Sequence, residues 1–484
     1  MLSGRALLRW VVQATTACAA TALAAPIAVA NPFELFGANT RSSALGQSMA
    51  ARNNDWTGLW HNPASMAGMA PHMAVGTLFA FDDVQVAVKP RPAGYDLPDL
   101  GASSPQIPSN ARLQPRQGST DITNVSDFVI GAVGNFGLRD LRIGVAAALP
   151  MTRLGLQHSH FADEREQYAS NRLSFELLGS RVQSQVILLG LAYPILPRLA
   201  VGCAMSVLPK GHAVSDVYLD DPARQQDVRI VVQNEQLGRI APSFGANWKP
   251  TDTLQIGASW RAANHFDLTI ENRIQIKGFQ GDKAAFPIRQ RVDFVLNYTP
   301  EQVDIGVAQT WGPLAVAVDA VWSRWSGYID SQGEHPTDWK NVWSVRAGAE
   351  YTAQPDRVVR AGLQWEPSPV PSQAGRSNYV DTDRAVVSVG AGHKLDLLGK
   401  RVELGWFVAG HALLTTDTNK AVTASTPCAP GVTAVCDEVN DNAKDGNGKP
   451  IAAAAGLQTG NPGFPGFVAW GNLLVVGADL KWEF

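Results

Sequence analysis

The sequence predicts an all-β protein: a transmembrane antiparallel β-barrel of about fourteen strands. Three observations predict it. Apolar residues alternate with polar or small ones at a period of two along most of the chain. Only 17% of the 484 residues are charged, against about 25% in a soluble domain, while a mean hydropathy of -0.06 excludes a bundle of membrane helices. The connections alternate between tight turns and long polar loops, the asymmetry of a barrel with two unlike rims.

The first element, residues 1–30, reads as an export signal that is removed. Arg5 and Arg9 form a charged start, an Ala/Val-rich stretch follows, and Ala28-Val29-Ala30 offers a small-x-small cleavage site before Asn31. Export places the remaining cysteines in an oxidising compartment, where Cys428 and Cys436 of "CAPGVTAVC" are spaced to close a small loop disulfide. Cys203 lies inside a strand-like run and reads as a small apolar residue.

Next comes a segment without alternation, ending in "NNDWTGLWHNPASMAGM" (53–69). It carries turn formers and compact apolar groups, Leu59, Trp60, Met66 and Met69. Pro63 biases Asn62 toward an extended backbone, and the Asn62 side chain is suited to bond its own main chain.

From about Met73 the period of two takes over. In "LQIGASWR" Leu254, Ile256, Ala258 and Trp260 share one face; in "VVRAGLQW" Val359, Ala361, Leu363 and Trp365 do. The strand-like segments centre near residues 80, 131, 146, 188, 204, 238, 260, 298, 320, 345, 361, 390, 408 and 476. Tight turns fall at "GLRD", "LPR", "KPTDT", "AQPD" and "LLGK"; long loops fall around 90–122, 152–180, 367–383 and 416–467. Trp260, Tyr298, Trp322, Trp325, Tyr351 and Trp365, near strand ends, are expected to form interfacial girdles. The last strand, "LLVVGADLKWEF", sets Leu474, Val476, Ala478, Leu480, Trp482 and Phe484 on one face. Its Trp482 and terminal Phe484 resemble the C-terminal signal by which bacterial outer-membrane barrels are recognised for insertion.

Several function classes are excluded. The net charge is -3 and no long basic run occurs, so a nucleic-acid partner is not expected. The chain has no Gly-x-Ser-x-Gly elbow, no Walker loop and no H-E-x-x-H, so it reads as a non-enzyme with no cofactor. His158 and His160 are spaced to share a metal, but no third ligand completes a site; the acidic "DEVNDNAKDGNGK" does not match a calcium loop and reads as solvated. No metal is expected.

Three stretches carry a family resemblance. Asn62, Pro63 and Ala64 stand just before the first strand. Ser368, Pro369, Val370 and Pro371 precede Asp381, Asp383 and Arg384 at a later strand start. "AVDAVWSRWSGY" places tryptophans at the top of a strand. With the terminal Phe484 strand, these make the chain resemble the FadL/TodX family of outer-membrane transporters for hydrophobic compounds, over essentially the whole mature length. The resemblance implies that residues 31–71 form a hatch plugging the lumen and residues 72–484 the barrel. It makes Asn62, Pro63, Ala64 and Trp60 hatch and gating residues. Trp56 and Trp60 depart from the family pattern and are expected to narrow the pocket.

The function so implied is passive uptake of long-chain fatty acids or other hydrophobic, including aromatic, compounds across the outer membrane of a Gram-negative bacterium. The hatch shifts on binding, and the substrate leaves sideways through the wall. Outer-membrane lipid, lipopolysaccharide and the barrel-assembly machinery are the implied partners. Apolar residues in the long loops, Leu154, Leu156, Phe161, Leu173, Phe175, Phe279 and Phe286, are candidates for first contact with the ligand. Arg153, Arg165 and Arg172 are placed to meet a carboxylate head group, while Arg261, Arg346 and Arg360 are expected to pair with acids inside the barrel. The competing reading is a scaffold barrel that binds a partner protein without transport, favoured by the long loop 416–467.

Overall fold

The computed structural model describes residues 32–89, 117–119, 125–135, 137, 140–151, 160–161, 172–175, 186–208, 211–219, 228–276, 285–330, 333–373, 377–397, 400–421, 438–439, 458–459, 463 and 465–484. The export signal and the Cys428–Cys436 pair lie outside them.

Fourteen strands form the wall: β1 His72–Val88, β2 Val125–Gly134, β3 Arg142–Pro150, β4 Val186–Leu196, β5 Leu199–Leu208, β6 Arg239–Trp248, β7 Leu254–Arg261, β8 Glu301–Trp311, β9 Leu314–Arg324, β10 Val342–Gln354, β11 Arg357–Glu366, β12 Arg384–Leu397, β13 Lys400–Asn419 and β14 Gly466–Glu483. Each pairs antiparallel with its neighbours, and β1 pairs with both β2 and β14, so the sheet closes without an edge. Closure is what lipid demands, since it offers no partner to a free backbone N–H. The strip Gln117–Ser119 pairs with the upper end of β1. Twelve of the fourteen expected strand centres fall within these strands.

The register explains the alternation. Outward positions carry large apolar side chains that remain exposed, among them Phe79, Leu191, Phe244, Val318, Val389 and Leu474. On a soluble protein such a belt would be an aggregation site; around a barrel it faces lipid. Six connections of two to seven residues join β2–β3, β4–β5, β6–β7, β8–β9, β10–β11 and β12–β13, all at the rim that holds His72 and Glu483. The long loops rise from the other rim.

Two expectations need correction here. Above the wall, Gly211–Leu219, Val228–Gln236, Asn264–Ile276 and Ala285–Thr299 form a separate four-stranded antiparallel sheet that continues β5 to β8 outward. Phe286 therefore sits in a strand, not a loop; the expected centre at 298 falls in this upper sheet and that at 238 just before β6, while the wall strands β6 and β8 run over Arg239–Trp248 and Glu301–Trp311. Pro287 and the alternating charges of Arg289, Arg291 and Asp293 hid this strand, because a sheet above the membrane needs no wholly apolar face. Likewise Tyr298 and Trp325 are buried in an aromatic cluster above the wall rather than in a girdle, whereas Tyr351 and Trp365 are exposed outward.

The segment from Pro32 to Pro71 is folded inside the barrel. It contains three short helices, Pro32–Phe36, Thr40–Ala44 and Gly58–His61, and a 3-10 turn, Pro63–Met66. None exceeds five residues, so tertiary contact rather than helix propensity holds them. Phe33, Trp56, Leu59, Trp60 and Met66 pack on Val129, Ala148, Leu188 and Ala204 of the wall, while Leu35, Phe36 and Ala44 pack on Phe407, Ala409 and Val475. The core of this molecule is thus the contact between hatch and wall.

Candidate functional site

The hatch sits against a belt of glycines. On eleven of the fourteen strands an inward glycine touches it: Gly131, Gly144, Gly190, Gly202, Gly245, Gly257, Gly306, Gly348, Gly362, Gly390 and Gly405. A Cβ on Gly257 would stand 1.9 Å from the Ala50 carbonyl oxygen, and one on Gly131 would stand 2.2 Å from the Trp56 ring. Only glycine lets the hatch backbone lie this close to the wall. On β9 and β14 the facing residues are Asp319 and Asp479, which accept hydrogen bonds from Ala50 N at 2.8 Å and Thr40 Oγ1 at 2.8 Å.

Asn62 is the joint of the seat. It is extended (φ −156°, ψ 104°), as the residue before a proline should be, and its Oδ1 accepts from Ala64 N at 3.1 Å. Its Nδ2 donates to Ala50 O at 2.7 Å and to Ala246 O of β6 at 3.0 Å. Pro63 and Ala64 lie over Gly202 of β5. Asn247 Nδ2 donates to Ala51 O at 2.6 Å, and Ser259 Oγ to His61 O at 2.7 Å. Three of the expected hatch residues are therefore brought together as a neutral fastening to β5, β6 and β7. The fourth, Trp60, lies under Arg261, whose Cζ is 3.4 Å from the ring centroid.

A charged contact stands opposite. Glu350 of β10 receives Arg41 Nε at 2.9 Å and Arg52 Nη1 at 2.6 Å from the hatch, and Arg360 Nε of β11 at 2.8 Å; Arg360 also reaches Glu403 of β13 at 3.0 Å. Burial works against the Arg41 cation, but Glu350 more than offsets it and raises its pKa. Arg52 is lowered, by burial first and then by Arg41 beside it. Burial also holds the His61 imidazole well below its ordinary value, helped by Arg346 and Arg261.

Of the three interior arginines, Arg360 and Arg346 pair with acids as expected, Arg346 reaching Asp304 at 4.0 Å. Arg261 does not. Among the described residues it meets no carboxylate; it donates to Gln302, its cross-strand neighbour, and to Trp60 O at 3.4 Å. Two recesses border the hatch. One, of only about 10 Å³, is lined by Trp60, His61, Ser243, Arg261, Asp304 and Arg346. The other, largely apolar and with a volume of only about 20 Å³, separates Ala38, Asn39, Thr40 and Trp56 of the hatch from Ala74, Gly76, Leu78, Val129 and Asp479 of the wall.

The Ser-Pro-Val-Pro loop is a clasp above the lumen. Ser368 N donates to Asp383 at 2.8 Å and Ser368 Oγ to Asp381 at 2.6 Å, while Arg384 pairs with Glu366. Lys340 N donates to Pro369 O at 3.0 Å, and Val370 packs on the cluster of Tyr298, Trp325, Tyr328 and Trp339. Tyr328 and Trp339 stack with centroids 3.8 Å apart. The backbone of Ser174–Phe175 pairs in parallel with Tyr379–Val380, so the segment holding Leu173 and Phe175, itself paired with His160–Phe161, docks on this loop. Leu154, Leu156, Phe279, Arg153, Arg165 and His158 lie outside the described residues. Trp482 pairs with Met73 and Val402 in the wall, and Phe484 is exposed at the turn rim. Among the described residues no set of three metal-ligating side chains comes together.

Sequence reading missed the glycine belt, Glu350, Arg41, Asp319 and Asp479. A signal existed for the belt: on strand after strand a glycine occupies the polar parity, as Gly257 and Gly362 do. No local pattern marks which acid meets a residue some 300 positions away, as Glu350 meets Arg41.

The model of the family described as outer membrane protein transport protein (OMPP1/FadL/TodX) matches residues 166–426. Among solved structures, a FadL homologue from Pseudomonas aeruginosa is similar at 14% identity and a TM-score of 0.56, covering 92% of this chain and 98% of the other. The toluene transporter TodX of P. putida is similar at 13% identity and a TM-score of 0.52, covering 93% and 99%. These likenesses show the fold. No curated protein matches the chain.

Proposed function

The chain belongs to the OMPP1/FadL/TodX family of outer membrane transport proteins, and from that premise we propose that it is a passive channel for hydrophobic compounds, long-chain fatty acids or aromatic hydrocarbons, gated by its N-terminal hatch. The observation that carries this reading is the fitted plug: a barrel whose lumen is filled by a separately folded segment is not an open water-filled pore. An apolar ligand would leave water among the outer loops and gain about 25 cal/mol for each Å² it buries. The flow needs no energy source beyond the concentration gradient.

The test is uptake of labelled long-chain fatty acid and of toluene by cells expressing the protein, beside cells expressing a chain lacking 53–69. Uptake that needs the protein and changes on deletion is expected. If neither compound enters above the empty-vector level while the barrel is folded in the outer membrane, transport fails for these ligands and the scaffold reading replaces it.

A further inference from the structure

We propose that Asp127 selects what the channel carries: its carboxyl group, buried and bare on the lumen face of β2, takes a hydrogen bond from the hydroxyl of an apolar ligand, so that a phenol or a long-chain alcohol is favoured over a hydrocarbon of the same shape. This rests on the channel reading above and names a ligand class within it.

Asp127 faces inward. Buried positions recur along β2 at Val125, Asp127, Val129, Gly131 and Val133, and Gly131 in that row lies against the Trp56 ring of the hatch. At about 3.3 Å per residue, Asp127 stands about 13 Å nearer the loops than Gly131, ahead of the hatch for a ligand arriving from outside. The nearest inward positions bring no side-chain donor: Val125 and Val129 along β2, Leu78 across on β1 and Pro150 across on β3. Leu78 and Val129 also border the apolar recess in front of the hatch. Asp127 is only 1% exposed, and both of its carboxyl oxygens are buried without a hydrogen-bond partner. The other buried acids differ. Asp319 holds Ala50 N, Asp55 holds Thr57, Glu350 gathers Arg41, Arg52 and Arg360, Asp304 meets Arg346, and Asp381 holds Ser368. Among the described buried acids, Asp127 alone has neither oxygen engaged. A bare buried carboxyl group is costly, and the cost falls when a donor arrives. A hydroxyl is donor and acceptor at once, so it pairs with the carboxyl group whether that is ionised or protonated. A carboxylate ligand brings a like charge and no donor, and a hydrocarbon covers the oxygens without bonding them.

The test compares labelled p-cresol with labelled p-xylene, which match in shape and differ by a hydroxyl against a methyl. Uptake is measured below saturation in cells expressing the full-length protein, with the empty-vector rate subtracted and folding checked by heat-modifiable gel mobility. The wild type is expected to favour p-cresol about tenfold, the factor carried by one buried hydrogen bond. D127L, similar in size but apolar, should bring the two rates together, whereas D127N, whose amide oxygen still accepts, should keep most of the preference. Equal wild-type rates, a folded D127L that still favours p-cresol, or a D127L in which both rates fall in the same proportion would each overturn the proposal and leave the channel reading in place. If neither compound enters above the empty-vector level while the barrel is folded, the channel reading falls and the proposal falls with it.

Discussion

Single side chains decide how firmly the hatch is seated. N62A removes two buried hydrogen bonds and leaves the Ala64 N–H without its cap, and should destabilise the hatch by about 1–3 kcal/mol. Faster hydrogen exchange over 57–66, with unchanged heat-modifiable mobility of the barrel, is the expected result; unchanged exchange would show that the glycine contacts suffice. His61 makes the seat sensitive to acid. Because burial depresses its folded pKa below the ordinary 6.5, the unfolded imidazole binds the proton more readily. Hatch stability is therefore full above 6.5 and declines as pH falls below it. H61Q should flatten the loss of exchange protection between about pH 7 and pH 5. Burial pushes Asp381 of the outer clasp up to about 7, against the opposing bond from Ser368. The neutral carboxyl suits the folded loop, so its contribution is full below the ordinary 3.8 and is lost as pH rises through about 7. Proteolysis of the loop 367–383 should lose that dependence in D381N.

At the scale of elements, the barrel and hatch are matched surfaces rather than a container with contents. Each inward glycine weakens its strand by an amount of order 0.5–1 kcal/mol relative to alanine, and eleven of them face the hatch. The compensation is close backbone contact, which no larger residue permits. G257L should therefore displace the hatch, seen as raised conductance with the barrel intact. G410A, where a Cβ meets nothing within 4 Å, should behave as wild type. Equal conductance in the two variants would mean that the belt does not set the position of the hatch. The helices obey the same rule: at four or five residues they are shaped by the wall, not by their own propensity.

For the molecule as a whole, the membrane imposes a two-sided pattern that no soluble barrel of this size carries. Val318, 49% exposed near the middle of β9, faces lipid, and V318R should cost about 2–4 kcal/mol in guanidinium unfolding from bilayers. Its neighbour Asp319, fully buried, faces the hatch and holds Ala50 N. D319N should leave barrel stability nearly unchanged and loosen the hatch instead. A large effect of D319N on barrel unfolding, or a negligible one from V318R, would contradict this assignment of the two faces.

Alternation and turn chemistry made the class of fold, twelve of the fourteen strand positions and the split between a rim of turns and a rim of loops legible, because each is a local property of the chain. The sequence also marked Asn62-Pro63-Ala64 and Ser368-Pro369-Val370-Pro371, where a proline constrains its own neighbours. Tertiary structure alone decided what those motifs touch. That Asn62 fastens to β6, that Arg261 finds Gln302 rather than an acid, and that Glu350 gathers Arg41, Arg52 and Arg360 all follow from strand register and from closing the sheet around the hatch. Register and closure set distances between residues far apart in the chain, and no local period encodes those distances.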